Sequence, residues 1–177
     1  MAVLLFLLTA YSNKATAQCV DVVFMMDNSG SIDNTEWTNM TNSTKSLIDE
    51  VLSCNPNNRV SVVHFAGTGN ALDITGSNIF IESNFTSNPT VAKTFSRRGC
   101  DTTKGQSCTN AAAMGTATYM HESVIVLGAA LDNTTPPSYG TILSTQKKLD
   151  KISNNKLVVF YFTDADMISK DGGGGNN

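Results

Sequence analysis

The sequence predicts an α/β fold, a Rossmann-like open sheet of mostly parallel strands with flanking helices, and three observations predict it. Val20–Met26 (VDVVFMM), Val60–Phe65 (VSVVHF) and Leu157–Phe162 (LVVFYF) are short, near-continuous apolar runs rich in β-branched and aromatic residues. Strands buried on both faces of a parallel sheet read this way. A helix-periodic segment separates the first two runs, and an acidic, hydroxyl-rich turn follows the first.

Each element can be justified in chain order. Met1 to Ala10 is apolar, too short for the roughly 20 residues that cross a bilayer, and Ala15-Thr16-Ala17 supplies the small-residue pattern of a cleavage site. Residues 1–17 are therefore expected to be a signal peptide and the protein secreted. Four cysteines and four N-x-S/T sequons, at Asn39, Asn42, Asn84 and Asn133, fit export. After the first strand, Asp33 and Glu36 have capping-box spacing. Trp37, Met40, Thr44, Leu47, Ile48, Val51 and Leu52 then form one apolar stripe, with Asn39 and Asn42 on the opposite face. The segment Cys54 to Asn58 breaks this helix and turns into the second strand.

A right-handed βαβ unit puts the start of its first strand and the end of its helix at one edge of the sheet. That placement predicts a Cys19–Cys54 bridge, and Cys100 with Cys108 would close a small polar loop. Ala71–Thr75 and Ile79–Phe85 suggest an antiparallel hairpin or edge strand. Ser87 to Ala113 reads as irregular with short helical turns. A helix is expected from about Tyr119 to Leu131, with Met120, Val124, Leu127 and Leu131 at core spacing. Another is expected over Ile142–Ile152, leading into the last strand. The predicted strand order is 3-2-1-4, with the edge strand antiparallel. One domain over residues 18–169 and a Gly/Asn-rich flexible tail over 170–177 complete the plan.

Composition narrows the function. The 177 residues are 41% apolar, enough for one buried core, and carry a net charge of −3 with 15% charged residues. Such a chain lacks the basic surface that nucleic-acid phosphates or anionic lipids require, so neither is expected as a partner, and the short apolar run gives no membrane span.

The chemistry concentrates in Asp27-Asn28-Ser29-Gly30-Ser31, a D-x-S-x-S between a buried strand and a capped helix. Ligand sites of open α/β sheets lie at the carboxyl ends of strands, where chain order reverses. A second acidic turn, Thr163-Asp164-Ala165-Asp166, ends the last strand, which should neighbour the first. Carboxylate and hydroxyl oxygens are hard ligands suited to Mg²⁺, Mn²⁺ or Ca²⁺. Neutral serines leave much of the metal charge uncancelled, so one coordination place stays open to an external carboxylate. Asp166 reads as a surface or supporting residue, and His64 as a hydrogen-bonded core histidine.

Strand, D-x-S-x-S, amphipathic helix and a VSVVHFAG strand together resemble a von Willebrand factor type A domain, over about Val20 to Met167. The resemblance implies a metal-ion-dependent adhesion site in which Asp27, Ser29 and Ser31 match the motif. Gly115-Thr116-Ala117-Thr118 resembles the segment that brings a threonine to the metal, with Thr116 preferred and Thr118 next. Asp164 matches the later aspartate, although Ala165 replaces the usual glycine. It further implies a non-enzymatic adhesion module, with Mg²⁺ as the expected ion. Its partner would be an extracellular-matrix or cell-surface protein presenting a Glu or Asp. The family's last strands and C-terminal helix have no counterpart, so the fold is expected to be incomplete.

Two other readings compete. A metal-dependent phosphohydrolase also places an aspartate after its first strand, but here Ser29 stands where the second acid would protonate a leaving group. A secreted structural domain without bound metal is the third.

Overall fold

The computed structural model describes residues 18–68 and 76–164. Residues 1–17, where a signal peptide is expected, Ala71–Thr75, Asp166 and the tail lie outside the described residues. The elements run β1 (Val20–Asp27), α1 (Asn34–Cys54), β2 (Arg59–Thr68), β3 (Gly76–Ile81), α2 (Pro89–Ala92), a 3₁₀ turn (Thr102–Lys104), α3 (Ala111–Met114), α4 (Met120–Asp132), β4 (Gly140–Ile142) and β5 (Lys156–Phe162).

They build a five-stranded sheet in the order β4-β3-β2-β1-β5. β1 pairs parallel with both β2 and β5, and β3 runs antiparallel to β2, as the sequence predicts. β4 extends the sheet beyond β3, to which it is parallel.

Side chains alternate across β1 into two cores. Val22, Phe24 and Met26 pack under α1 with Ile48 and Val62, whereas Val23 and Met25 face α4 with Phe65, Ile79 and Leu127. Burial of both faces explains why β1 and β2 read as unbroken apolar runs, whereas β5, read the same way, lies at the sheet edge with Leu157 and Phe160 exposed. The α1 stripe buries Met40, Thr44 and Ile48, and its start is fixed by a complete Asp33–Glu36 capping box.

Three expectations are corrected. Ile142–Ile152 forms no helix, because its backbone groups pair with distant partners. Leu143 N–H donates to the Ile79 carbonyl, Leu149 N–H to the Ala130 carbonyl, and Ser144 Oγ accepts from Ile81 N–H at 3.0 Å. Within α4 the buried face is Ser123, Val126, Leu127, Ala129 and Ala130, while Val124 is 46% exposed. Small Ser123 and Ala130 let the helix approach the sheet more closely than larger side chains would.

The third correction concerns the cysteines. Cys100 and Cys108 are bonded, but Cys19 and Cys54 are free thiols. The ends that this bridge was expected to join are tied by Asn58, whose Oδ1 accepts Val20 N–H at 3.0 Å while its Nδ2 donates to the Val51 carbonyl at 2.8 Å. The Cys19 carbonyl instead accepts from Lys156 N–H, continuing the sheet toward β5.

Candidate metal centre

Parallel pairing of β1 with β5 brings two strand ends side by side. Met26 is in register with Phe162, so Asp27 and the Thr163-Asp164 pair leave the sheet at one edge. Asp27 is fully buried, and its Oδ1 accepts the Ser29 N–H at 2.8 Å, an Asx turn that curls the chain back over the carboxylate. Its Oδ2 accepts from Thr163 Oγ1 at 2.6 Å.

The hydroxyls continue the chain of contacts. Ser29 Oγ lies 3.0 Å from Ser31 Oγ, and Ser31 Oγ donates to Asp164 Oδ1 at 3.1 Å. Asp27 and Ser29 are buried, whereas Ser31 and Asp164 are exposed, so one side of the cluster is open to solvent.

Thr116 reaches the same place by a different route. Gly115 has φ 84°, and a Cβ there would come within 2.0 Å of the Gly67 carbonyl oxygen, so only glycine fits. Ala117, on the other side of Thr116, exchanges hydrogen bonds with Gly67 of β2 in both directions. Thr116 is thereby held against the D-x-S-x-S turn, its carbonyl accepting Gly30 N–H at 2.8 Å. A Cβ added to Gly30 would sit 3.1 Å from Thr116 Cβ, so the two chains touch. Thr118 is half-buried and His121 exposed.

The electrostatics of the cluster centre on Asp27. Burial raises the Asp27 carboxyl above its ordinary value, against hydrogen bonds from Thr163 and Ser29, and the Asp164 charge raises it further. Bringing a divalent cation to these oxygens would relieve both effects. Mg²⁺ is commonly held by one or two carboxylates with water completing its shell. Among the described residues no group of three or more His, Cys, Asp or Glu side chains forms a metal cage. The donor set is two carboxylates and hydroxyls, and it fits a hard ion that keeps exchangeable places.

The von Willebrand factor type A domain model matches residues 21–123, more than half of the chain. The chain belongs to this family. The match takes in Asp27, Ser29, Ser31 and Thr116 and ends before β5, so Asp164 rests on the sheet geometry alone. Type A domains are binding modules that mediate protein–protein interactions and are in general not enzymes. No curated protein and no solved structure matches the chain.

Sequence reasoning read His64 as a hydrogen-bonded core histidine, as it is, but missed the other residues that support the turn. Asn28 Nδ2 donates to the Met26 carbonyl and lies 2.7 Å from His64 Nδ1, while its Oδ1 accepts the N–H groups of Arg98 and Gly99. His64 is fully buried, its pKa lowered by burial, and its Nε2 lies 2.9 Å from Glu82 Oε1. Burial opposes the Glu82 charge, yet bonds from Arg98 and the His64 contact hold that carboxyl at about 2. Lys104 Nζ donates to the Gly30 carbonyl at 3.0 Å, which puts an ammonium beside the site. No local sequence signal marks these partners, because every contact but the one from Asn28 to Met26 joins residues at least 16 positions apart.

Asn39, Asn42 and Asn133 are exposed. The Asn84 amide is engaged instead, donating to Asp150 Oδ2 at 2.6 Å. A shallow cleft of about 360 Å³, lined by Ile32, Asn39, Phe162 and Asp164 among others, runs from the site between α1 and β5. No helix among the described residues is long and apolar enough to cross a membrane.

Proposed function

We propose that this chain is a secreted adhesion module that holds a divalent cation, Mg²⁺ for preference and Mn²⁺ or Ca²⁺ as substitutes, with Asp27, Ser29, Ser31, Thr116 and Asp164. It captures an extracellular protein by a Glu or Asp side chain. Residues 1–17 are its signal peptide, 18–169 the partial binding domain and 170–177 a flexible tail; Asn39, Asn42 and Asn133 are its exposed glycan acceptors, and Asn84 is one only where it gives up its bond to Asp150. The observation that carries this reading is the buried Asp27 carboxylate, linked through Ser29 and Ser31 to Asp164 with no bonded basic side chain among the described residues.

When bound, the ion supplies a Lewis-acidic place for an external carboxylate. The protein's own part is geometric. Asp27 and Ser29 are fixed by the buried turn, while Ser31 and Asp164 face solvent at the rim, where a partner can approach. Phosphate-ester hydrolysis is not supported: Ser29 occupies the position of the required acid, and Lys104 bonds to a backbone carbonyl.

Immobilised polyglutamate offers a defined carboxylate probe. Capture in Mg²⁺ that EDTA reverses and that Asp27→Ala abolishes is the expected result. Capture indifferent to EDTA, or retained by Asp27→Ala, would overturn the reading.

A further inference from the structure

The turn that carries Ser29 and Ser31 is gripped from outside by the ring that Cys100 and Cys108 close. We infer that this ring is a redox-sensitive clamp that positions the turn for cation binding. The inference rests on the site reading above and adds its regulation.

Gly30 lies between the two serines, and its carbonyl accepts from both Gln106 Nε2, at 3.3 Å, and Lys104 Nζ, at 3.0 Å. Both donors come from within the ring. Gln106 is 8% exposed and forms the node of the contact. Its Oε1 accepts from Asp101 N–H at 2.8 Å and from Arg97 Nη2 at 2.9 Å. Arg97 in turn donates to the Ile32 carbonyl and, at 3.2 Å, to Asn34 Oδ1. The ring bonds the Gly30 carbonyl directly, and Arg97, outside the ring but bonded to Gln106, satisfies the Ile32 carbonyl on the other side of Ser31. A Cβ at Gly30 would lie 3.1 Å from Asp101 Cβ, so the ring also packs directly on the turn.

Covalent closure is what keeps Gln106 in place. Without it, residues 101–107 are exposed or half-buried apart from Gln106 itself, and their neck is held by the Thr109 and Asn110 N–H bonds to the Arg97 and Arg98 carbonyls. A short polar segment of this kind gains conformational entropy on release. Cys100 is buried and Cys108 half-buried, so a reductant meets Cys108 first. A dithiol attacks Cys108 Sγ and expels the Cys100 thiolate, which takes up a proton. Its second sulfur then displaces Cys108 as a thiol, and the dithiol leaves as a cyclic disulfide with two electrons and two protons transferred. The freed ring no longer presses Gln106 against Gly30, and the spacing of the two serine hydroxyls loosens.

Calorimetric titration of Mg²⁺ into the full chain, before and after dithiothreitol, tests the clamp. Free thiols should rise from the two of Cys19 and Cys54 to four. Far-UV circular dichroism should remain native, and Mg²⁺ affinity should fall about tenfold, a change of ~1.4 kcal/mol. Gln106→Met, which keeps the ring closed but removes its polar node, should weaken Mg²⁺ severalfold and respond less to reduction, since the two perturbations share one contact. Unchanged affinity with four titrated thiols, or in oxidised Gln106→Met, would overturn the clamp and leave the site reading standing. An oxidised wild-type chain that takes up no Mg²⁺ would overturn the site reading itself.

Discussion

β1 carries a buried aspartate at each end, and the fold treats them oppositely. At the amino end, burial alone would raise the Asp21 carboxyl, but two bonds from Arg59, at 3.0 and 2.6 Å, with those from Asn155 and Ile152 N–H, hold it below its ordinary value. At the carboxyl end, burial raises the Asp27 carboxyl, its hydroxyl and N–H donors offset only part of that, and the charge of Asp164 raises it further. Arg97 feels the Asp27 charge but commits its donors to Gly99, Ile32, Asn34 and Gln106. One aspartate is a completed structural tie, and the other has no basic side chain bonded to it among the described residues.

Removing each carboxylate separates the two roles. Asp21→Ala leaves the Arg59 guanidinium, 19% exposed, without its partner and should destabilise the protein by about 3 kcal/mol in chemical denaturation, with Mg²⁺ affinity unchanged. Asp27→Asn should have the opposite sign in cation-free buffer. It removes a buried charge while keeping an acceptor for Ser29, and a gain of about 1 kcal/mol would appear as a melting temperature higher by ~3 °C.

The pH dependences should also oppose. Asp21 has a lowered folded pKa, so its contribution is present above the unfolded value of 3.8 and is lost as pH falls through the folded one. Asp27 has a raised folded pKa, so between 3.8 and that higher value the folded state holds a proton that the unfolded state has released. Stability of the cation-free protein therefore falls as pH rises through this window, and Asp27→Asn should abolish that component alone. A pH series of denaturant melts would show it.

The smallest effect lies away from both aspartates. Asp33→Ala removes the α1 capping box and should cost about 1 kcal/mol, leaving cation binding nearly intact because Asp33 has no bond to Ser29 or Ser31.

The same contrast explains what the sequence made legible. Asp27, Ser29 and Ser31 stand within five residues, and the apolar strand before them and the capped helix after them fix where their turn must lie. Asp164 was legible because the apolar run before it identifies the neighbouring strand. Asn28, Arg97 and Gln106 were not, since their partners lie far along the chain. Nor was Asp21 read as a tie, because Arg59 joins it only when β1 and β2 pair. The Ile142–Ile152 helix and the Val124 core position failed for a related reason. Apolar spacing in a short segment does not reveal whether sheet carbonyls or helical ones will take its N–H groups, nor which side small residues bring closest to the sheet.

The most direct test is the Mg²⁺ dependence of unfolding in the oxidised wild-type chain and in Asp27→Asn. At about 100 times its dissociation constant, Mg²⁺ should stabilise the wild type by ~2.7 kcal/mol and leave Asp27→Asn unmoved. Equal stabilisation of both proteins, or of neither, would contradict the account.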